Sequence, residues 1–211
     1  MTYAYDEIYL SDAMKNLGEA FDYSATVLNI PMDEFLDMFI ISGIAEQFAG
    51  GVPKFISGFS GTELVWEVLN RAEEKIELPV PQTEYDYSPE YWCGWILAFY
   101  QWSTGKSFKE IKRYLPMSEI RKLYPTLHEA SEEKFIDVAN AILRRKNLPT
   151  KLQTVRKAVG FSQKELSQKS GVTLRMIQQY EQRAKDINKA AASNLFALSR
   201  TLGCKAEDLM E

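Results

Sequence analysis

The stretch LQTVRKAVGFSQKELSQKSGVTLRMIQQYEQ, Leu152 to Gln182, carries two helix starts and two glycine stops in 31 residues. Thr150, just ahead of it, is followed three positions later by Gln153, the spacing of a capping box in which a hydroxyl and an acceptor side chain satisfy each other's free backbone amides. Gly160 then ends a first short helix in the manner of a C-terminal glycine. Ser162 with Glu165 repeats the box for a second helix, and Gly171 can take the left-handed conformation that turns the chain sharply. Thr173 caps a third helix, LRMIQQYEQ, so that two short helices are joined by a glycine turn of the length used in a helix-turn-helix. Leu166, Val172, Ile177 and Tyr180 are apolar where those two helices must face each other. Leu174, Arg175, Gln178 and Gln179 fall on the outward side. Arginine presents two parallel donors that match guanine, glutamine matches adenine, and an aliphatic side chain packs on the thymine methyl, so this outward face suits the major groove.

Charge separates this segment from the rest. The chain is 211 residues with a net charge of −4, which alone argues against nucleic acid. Residues 147–211, however, hold 11 Lys plus Arg against 6 Asp plus Glu, a net of +5, leaving −9 on the remainder. Phosphate attracts one part and repels the other. Arg144-Arg145-Lys146 ends a helical pattern and Asn147-Leu148-Pro149-Thr150 supplies a proline and then a helix-start residue, which places a boundary near 147. Two domains are therefore expected, residues 1–146 and 147–211.

The C-terminal run, with the trailing helix NLFALSRTLGC, resembles the Cro/C1-type (XRE) helix-turn-helix domain of phage repressors and bacterial regulators over Leu152 to Leu209. The resemblance implies a five-helix, lambda-repressor-like domain. It also implies a structural ion pair between Arg156 and Glu181, phosphate contact from Gln163 at the start of the second helix, and base reading by Thr173, Leu174 and Arg175 with Gln178 and Gln179 beyond them. Lys164 and the loop cations Arg183, Lys185 and Lys189 are the further phosphate candidates. One departure stands out: the family usually has glycine or asparagine near position 183 and often proline before the fourth helix, whereas this chain has Arg183 and Ile187. Domains of this size bind too weakly alone to select an operator, so a homodimer on half-sites about one helical turn apart is expected.

Residues 1–146 read as all-α, with no strictly alternating run. Ser11 is placed as the cap of a first helix carrying Met14, Leu17, Phe21 and Ala25, stopped by Pro31. A second helix is expected over Asp33 to Phe48, a plain loop at GGVPKFISGFSG, a third helix from Thr62 to Glu74, and a proline-broken connection at KIELPVPQTEYDY. Ser88-Pro89-Glu90 opens an aromatic helix to Trp102, because serine caps free amides and proline suits the first helical position. Ser107 with Glu110 opens the next, and helices from Ser118 and Ser131 follow.

The chemistry-bearing residues of this region are sparse. Tyr91, Trp92, Trp95, Phe99, Tyr100 and Trp102 are read as core before they are read as a ligand pocket. Asp33, Glu34 and Asp37 suit a helix dipole better than a cation. The glycines of GGVPKFISGFSG lack the strand and the Gly-Lys-Ser/Thr of a phosphate loop. His128 is the single histidine, and no catalytic residue, metal site or cofactor is expected. Two cysteines, Cys93 and Cys204, suit a reducing compartment, and the acidic start lacks a signal peptide's features. The most apolar window, Tyr91 to Trp102, is too short to span a bilayer.

Together these readings give an all-α, cytoplasmic, non-enzymatic repressor that binds double-stranded DNA. Its acidic domain would bind a protein partner, by analogy with two-domain antitoxins a toxin encoded beside it. The alternative is a ligand sensor or enzyme-like domain with a pocket lined by Trp95 and Trp102.

Overall fold

The structure, a computed structural model, describes residues 3–74, 79 and 88–211. Among these residues every regular element is helical and there is no strand. They divide into two compact units, Met1–Leu143 and Arg144–Glu211, each with its own apolar core. The expected connection at 75–87 lies outside the described residues, Pro79 excepted.

In the first unit, α1 (Leu10–Asp22) packs along α5 (Pro89–Thr104) and against α4 (Gly61–Arg71). Helices α2 (Met32–Ile41) and α3 (Ile44–Ala49) pack on each other, α6 (Phe108–Tyr114) on α3, and α7 (Met117–Leu127) on α5 and α2. The pairing of α1 with α5 depends on Gly94, where a Cβ would sit 2.4 Å from the Leu17 carbonyl oxygen and 2.8 Å from the Phe21 ring. Phe39, Phe48 and Phe108 meet edge to face at 5.2 to 5.9 Å, the favoured aromatic geometry. Trp92 and Tyr100 of α5 both meet Phe135 of α8 (Glu132–Asn147), and the Tyr100 hydroxyl donates to Asn140 Oδ1 at 2.8 Å. The aromatic helix is thus packed on its neighbours. Its last tryptophan, Trp102, is covered by Tyr3 stacked at 4.0 Å and donates its indole N–H to the Tyr5 carbonyl at 2.9 Å.

Four local expectations are corrected. Ser11 lies inside α1, because Asp6 opens a preceding 3-10 turn (Glu7–Tyr9) by accepting from the Ile8 amide. The helix expected over 33–48 breaks at Ser42-Gly43, where Gly43 turns left-handed (φ 74°). The segment GGVPKFISGFSG is no plain loop: a π-helical turn at Lys54–Gly58 buries Phe55 and Ile56. Ser60 rather than Thr62 starts α4, in a complete capping box with Glu63.

The second unit is built from α9 (Lys151–Val159), α10 (Gln163–Ser170), α11 (Leu174–Glu181), α12 (Ala192–Leu202) and a final 3-10 turn, Ala206–Leu209. Its core is Leu152, Leu166, Val172, Ile177, Tyr180, Ile187, Leu198, Leu202 and Leu209.

Candidate nucleic-acid interface

Each of the three helices that build the site starts on a side-chain cap. Thr150 accepts from the Gln153 amide at 3.1 Å, Ser162 from Glu165 at 3.1 Å in a box closed in both directions, and Thr173 from Met176 at 3.3 Å. Each such cap satisfies one of the orphan donors at a helix start, a contribution of about 1 kcal/mol. Between α10 and α11 the chain turns at Gly171 (φ 74°), a left-handed conformation that residues with a Cβ rarely adopt. The turn lets Leu166 of α10 and Ile177 and Tyr180 of α11 share one core.

A buried polar network locks α9 to the end of α11. Arg156 donates Nε and Nη2 to the two carboxylate oxygens of Glu181 at 2.6 and 2.8 Å, with side-chain exposures of 8% and 1%. Its third arm, Nη1, donates to the Phe161 carbonyl at 2.6 Å. The hydrogen bonds that Arg156 donates to Glu181 push the guanidinium pKa further up, so the charge is permanent. Gln163 joins the network by donating Nε2 to Glu181 Oε2 at 2.8 Å. One N–H of its amide is therefore committed within the domain and the other remains available.

With Ile177 and Tyr180 inward, α11 presents Thr173, Leu174 and Arg175 to solvent, with Gln178 and Gln179 half-buried beside them. Lys164, Lys185 and Lys189 are exposed. The Lys185 amide donates to the Gln179 carbonyl at 3.1 Å, which folds the following loop back on the end of α11. Arg183, one of the phosphate candidates, is engaged within the domain. It lies in the left-handed region (φ 55°), and its guanidinium is used inside the domain, Nε and Nη2 on Glu211 and Nη1 on the Leu148 carbonyl at 2.7 Å. This is the position where the resemblance implies glycine or asparagine, residues that enter that region readily.

Residues 152–209 match the family model described as Helix-turn-helix. The C-terminal domain is accordingly a helix-turn-helix domain, and the match supports a DNA-binding transcription regulator. Comparison with curated proteins and with solved structures returned no match.

The remaining candidates find structural employment. Asp33 accepts from the Met117 and Ser118 amides at 2.8 and 3.1 Å, so it caps α7 from across the domain, and Asp37 pairs with Lys112. His128 stacks on Tyr124, its Nδ1 2.8 Å from the Tyr124 carbonyl. Burial pushes the Cys93 thiol up to about 12 and raises that of Cys204, which suppresses the thiolate. Among the described residues no three His, Cys, Asp or Glu side chains gather as a metal site, and no helix is long and apolar enough to cross a membrane. Sequence reasoning missed Glu211, which has no motif around it, and Asp33's role, which depends on a helix 84 residues away.

Proposed function

We propose that the chain is a transcriptional repressor that reads a specific operator. Thr173, Leu174, Arg175, Gln178 and Gln179 meet base edges in the major groove, and Gln163, Lys164, Lys185 and Lys189 hold phosphates. The observation that supports this best is the arrangement of α11, whose apolar side is buried on α10 while Arg175 is exposed and Gln178 and Gln179 are half-buried on the outward side of a net-cationic domain. Glu181 deepens the case, because it fixes Gln163 in one orientation and leaves it a spare donor for phosphate. Operator selection at physiological salt requires two copies on adjacent half-sites. The acidic N-terminal region is the partner-binding half, and a toxin encoded by a neighbouring gene is the partner that the two-domain arrangement favours.

Titration of the full chain against duplex fragments from its own upstream region tests the reading. Binding to one fragment should exceed binding to the others and weaken steeply with salt. Arg175→Ala should cost about 1–3 kcal/mol at one base pair, whereas Lys185→Ala should weaken all sequences alike. Salt-insensitive or absent binding to every fragment would overturn it. Co-purification with the neighbouring gene product, kept when Arg175 is replaced, tests the partner half separately.

A further inference from the structure

The geometry points to a second cationic contact on the same duplex, made by Arg144 and Arg145 at the end of α8, outside the segment that matches the helix-turn-helix family. The inference rests on the DNA-binding reading above and extends its surface. Both guanidinium groups are exposed, and among the described residues neither has an ion pair. An exposed arginine is ordinarily just solvated; what distinguishes this pair is where the chain holds it.

The end of α8 is tied to the exit of α11. Arg183, the first residue past the Gln182 cap of α11, donates Nη1 to the carbonyls of Leu148 and Lys146 at 2.7 and 3.4 Å. The Leu148 amide in turn donates to the Arg144 carbonyl at 3.0 Å, so the last turn of α8 is continuous with the anchored carbonyls. Arg183 can serve as that anchor because Glu211 holds its other two donors. A non-glycine residue persists in the left-handed region only where its surroundings over-determine it, and three hydrogen-bonding partners do so here.

On the other side of Arg183 runs the loop with Lys185 and Lys189 exposed. Arg183 therefore ties the basic last turn of α8 to the loop that carries Lys185 and Lys189, and among the described residues none of these four cations has an ion pair. Counting the basic turn of α8, residues 144–211 hold 14 Lys plus Arg against 6 Asp plus Glu. The partner that this surface fits is a phosphodiester backbone, because a guanidinium fork matches two phosphate oxygens at once. Contacts of this kind strengthen binding without reading sequence.

The test is the salt dependence of binding of the full chain to a short labelled duplex of mixed sequence, followed by fluorescence anisotropy from roughly 50 to 200 mM salt. Each phosphate contact contributes about 0.9 to the slope of log K against log salt, so R144Q/R145Q should lower the slope by about 1.8. R144K/R145K should restore most of it. Glutamine keeps the helix propensity and stem of arginine, and unchanged melting of both variants shows that the fold is intact. A slope within half a unit of the native one in R144Q/R145Q overturns the inference while leaving the recognition helix in place. Absence of salt-sensitive binding by the native chain overturns the DNA-binding reading itself.

Discussion

Arg183 and Glu211 form a two-pronged ion pair, Nε and Nη2 of the guanidinium both donating to Oε2 at 3.0 and 2.8 Å. The other carboxylate oxygen of Glu211 accepts from the Lys151 amide at 3.0 Å, so one side chain holds the loop after the recognition helix and also the first turn of α9. The Glu211 backbone amide and carbonyl clasp the side-chain amide of Asn188 at 3.0 and 3.3 Å. This clasp offsets the left-handed backbone of Arg183, a cost of about 1–2 kcal/mol for a side chain with a Cβ.

Glu211→Ala should therefore destabilise the C-terminal domain by about 1–3 kcal/mol, because a partly buried guanidinium loses its partner. Amide exchange should quicken first at Lys151 and across residues 183–189. Arg183→Gly should be tolerated better than Arg183→Ala by about 1 kcal/mol, since only glycine enters that backbone region freely. Equal melting of the two Arg183 variants would show that strain at this position is negligible.

The pair between Arg156 and Glu181 behaves differently, being almost wholly removed from water. Breaking such a pair strands a charge, and Glu181→Ala should cost about 3–5 kcal/mol. Replacing both partners together, as R156M/E181L, should recover much of that loss. The double variant should nonetheless bind DNA less well than its stability suggests, because Gln163 loses the acceptor that orients it. Denaturant unfolding set beside duplex titration separates the two effects.

Gly94 controls the other domain. An added methyl would lie 2.4 Å from the Leu17 carbonyl oxygen, so Gly94→Ala must push α1 and α5 apart. Overpacking of this kind costs about 1–3 kcal/mol and more where backbone is the obstacle. All four tryptophans, Trp66, Trp92, Trp95 and Trp102, lie in this unit, so a fall in the tryptophan-monitored melting temperature reads the effect without contribution from the DNA-binding domain.

The features legible from sequence were the local ones. Thr150, Ser162 and Thr173 act on amides three residues away, and a cap of that span is written in adjacent letters. The inward positions of Leu166, Ile177 and Tyr180 follow from helical period in the same way. Ser11 reads as the cap of α1, and only the 3-10 turn that Asp6 opens ahead of it carries the helix start past that serine. The apolar stripe runs on past Gly43 in the sequence, and the backbone breaks there all the same. The resemblance implies phosphate contact for the loop that holds Arg183, and the acceptor that engages its guanidinium stands 28 residues further on with nothing local to announce it. Gly94 and Asp33 share that difficulty, each being defined by a helix distant in the chain.

Acid should weaken the start of α10 in a way that can be removed by one substitution. Glu165 accepts from the Ser162 amide at 2.8 Å, and this backbone hydrogen bond, followed by the one with the serine side chain, holds its carboxyl pKa below the usual 4.5. A carboxylate whose folded pKa is lowered contributes stability that is present above its unfolded value and is lost as pH falls through the folded one. Amide protection at the start of α10 should accordingly decline as the solution is taken from pH 7 to about 3. Glu165→Gln keeps an acceptor oxygen but cannot titrate. Its protection should start lower than the native value at neutral pH, because a charge-assisted hydrogen bond becomes a neutral one, and should then stay flat through the acid range. A variant that still follows the native acid profile at Ser162 to Leu166 would assign the decline to some other carboxylate.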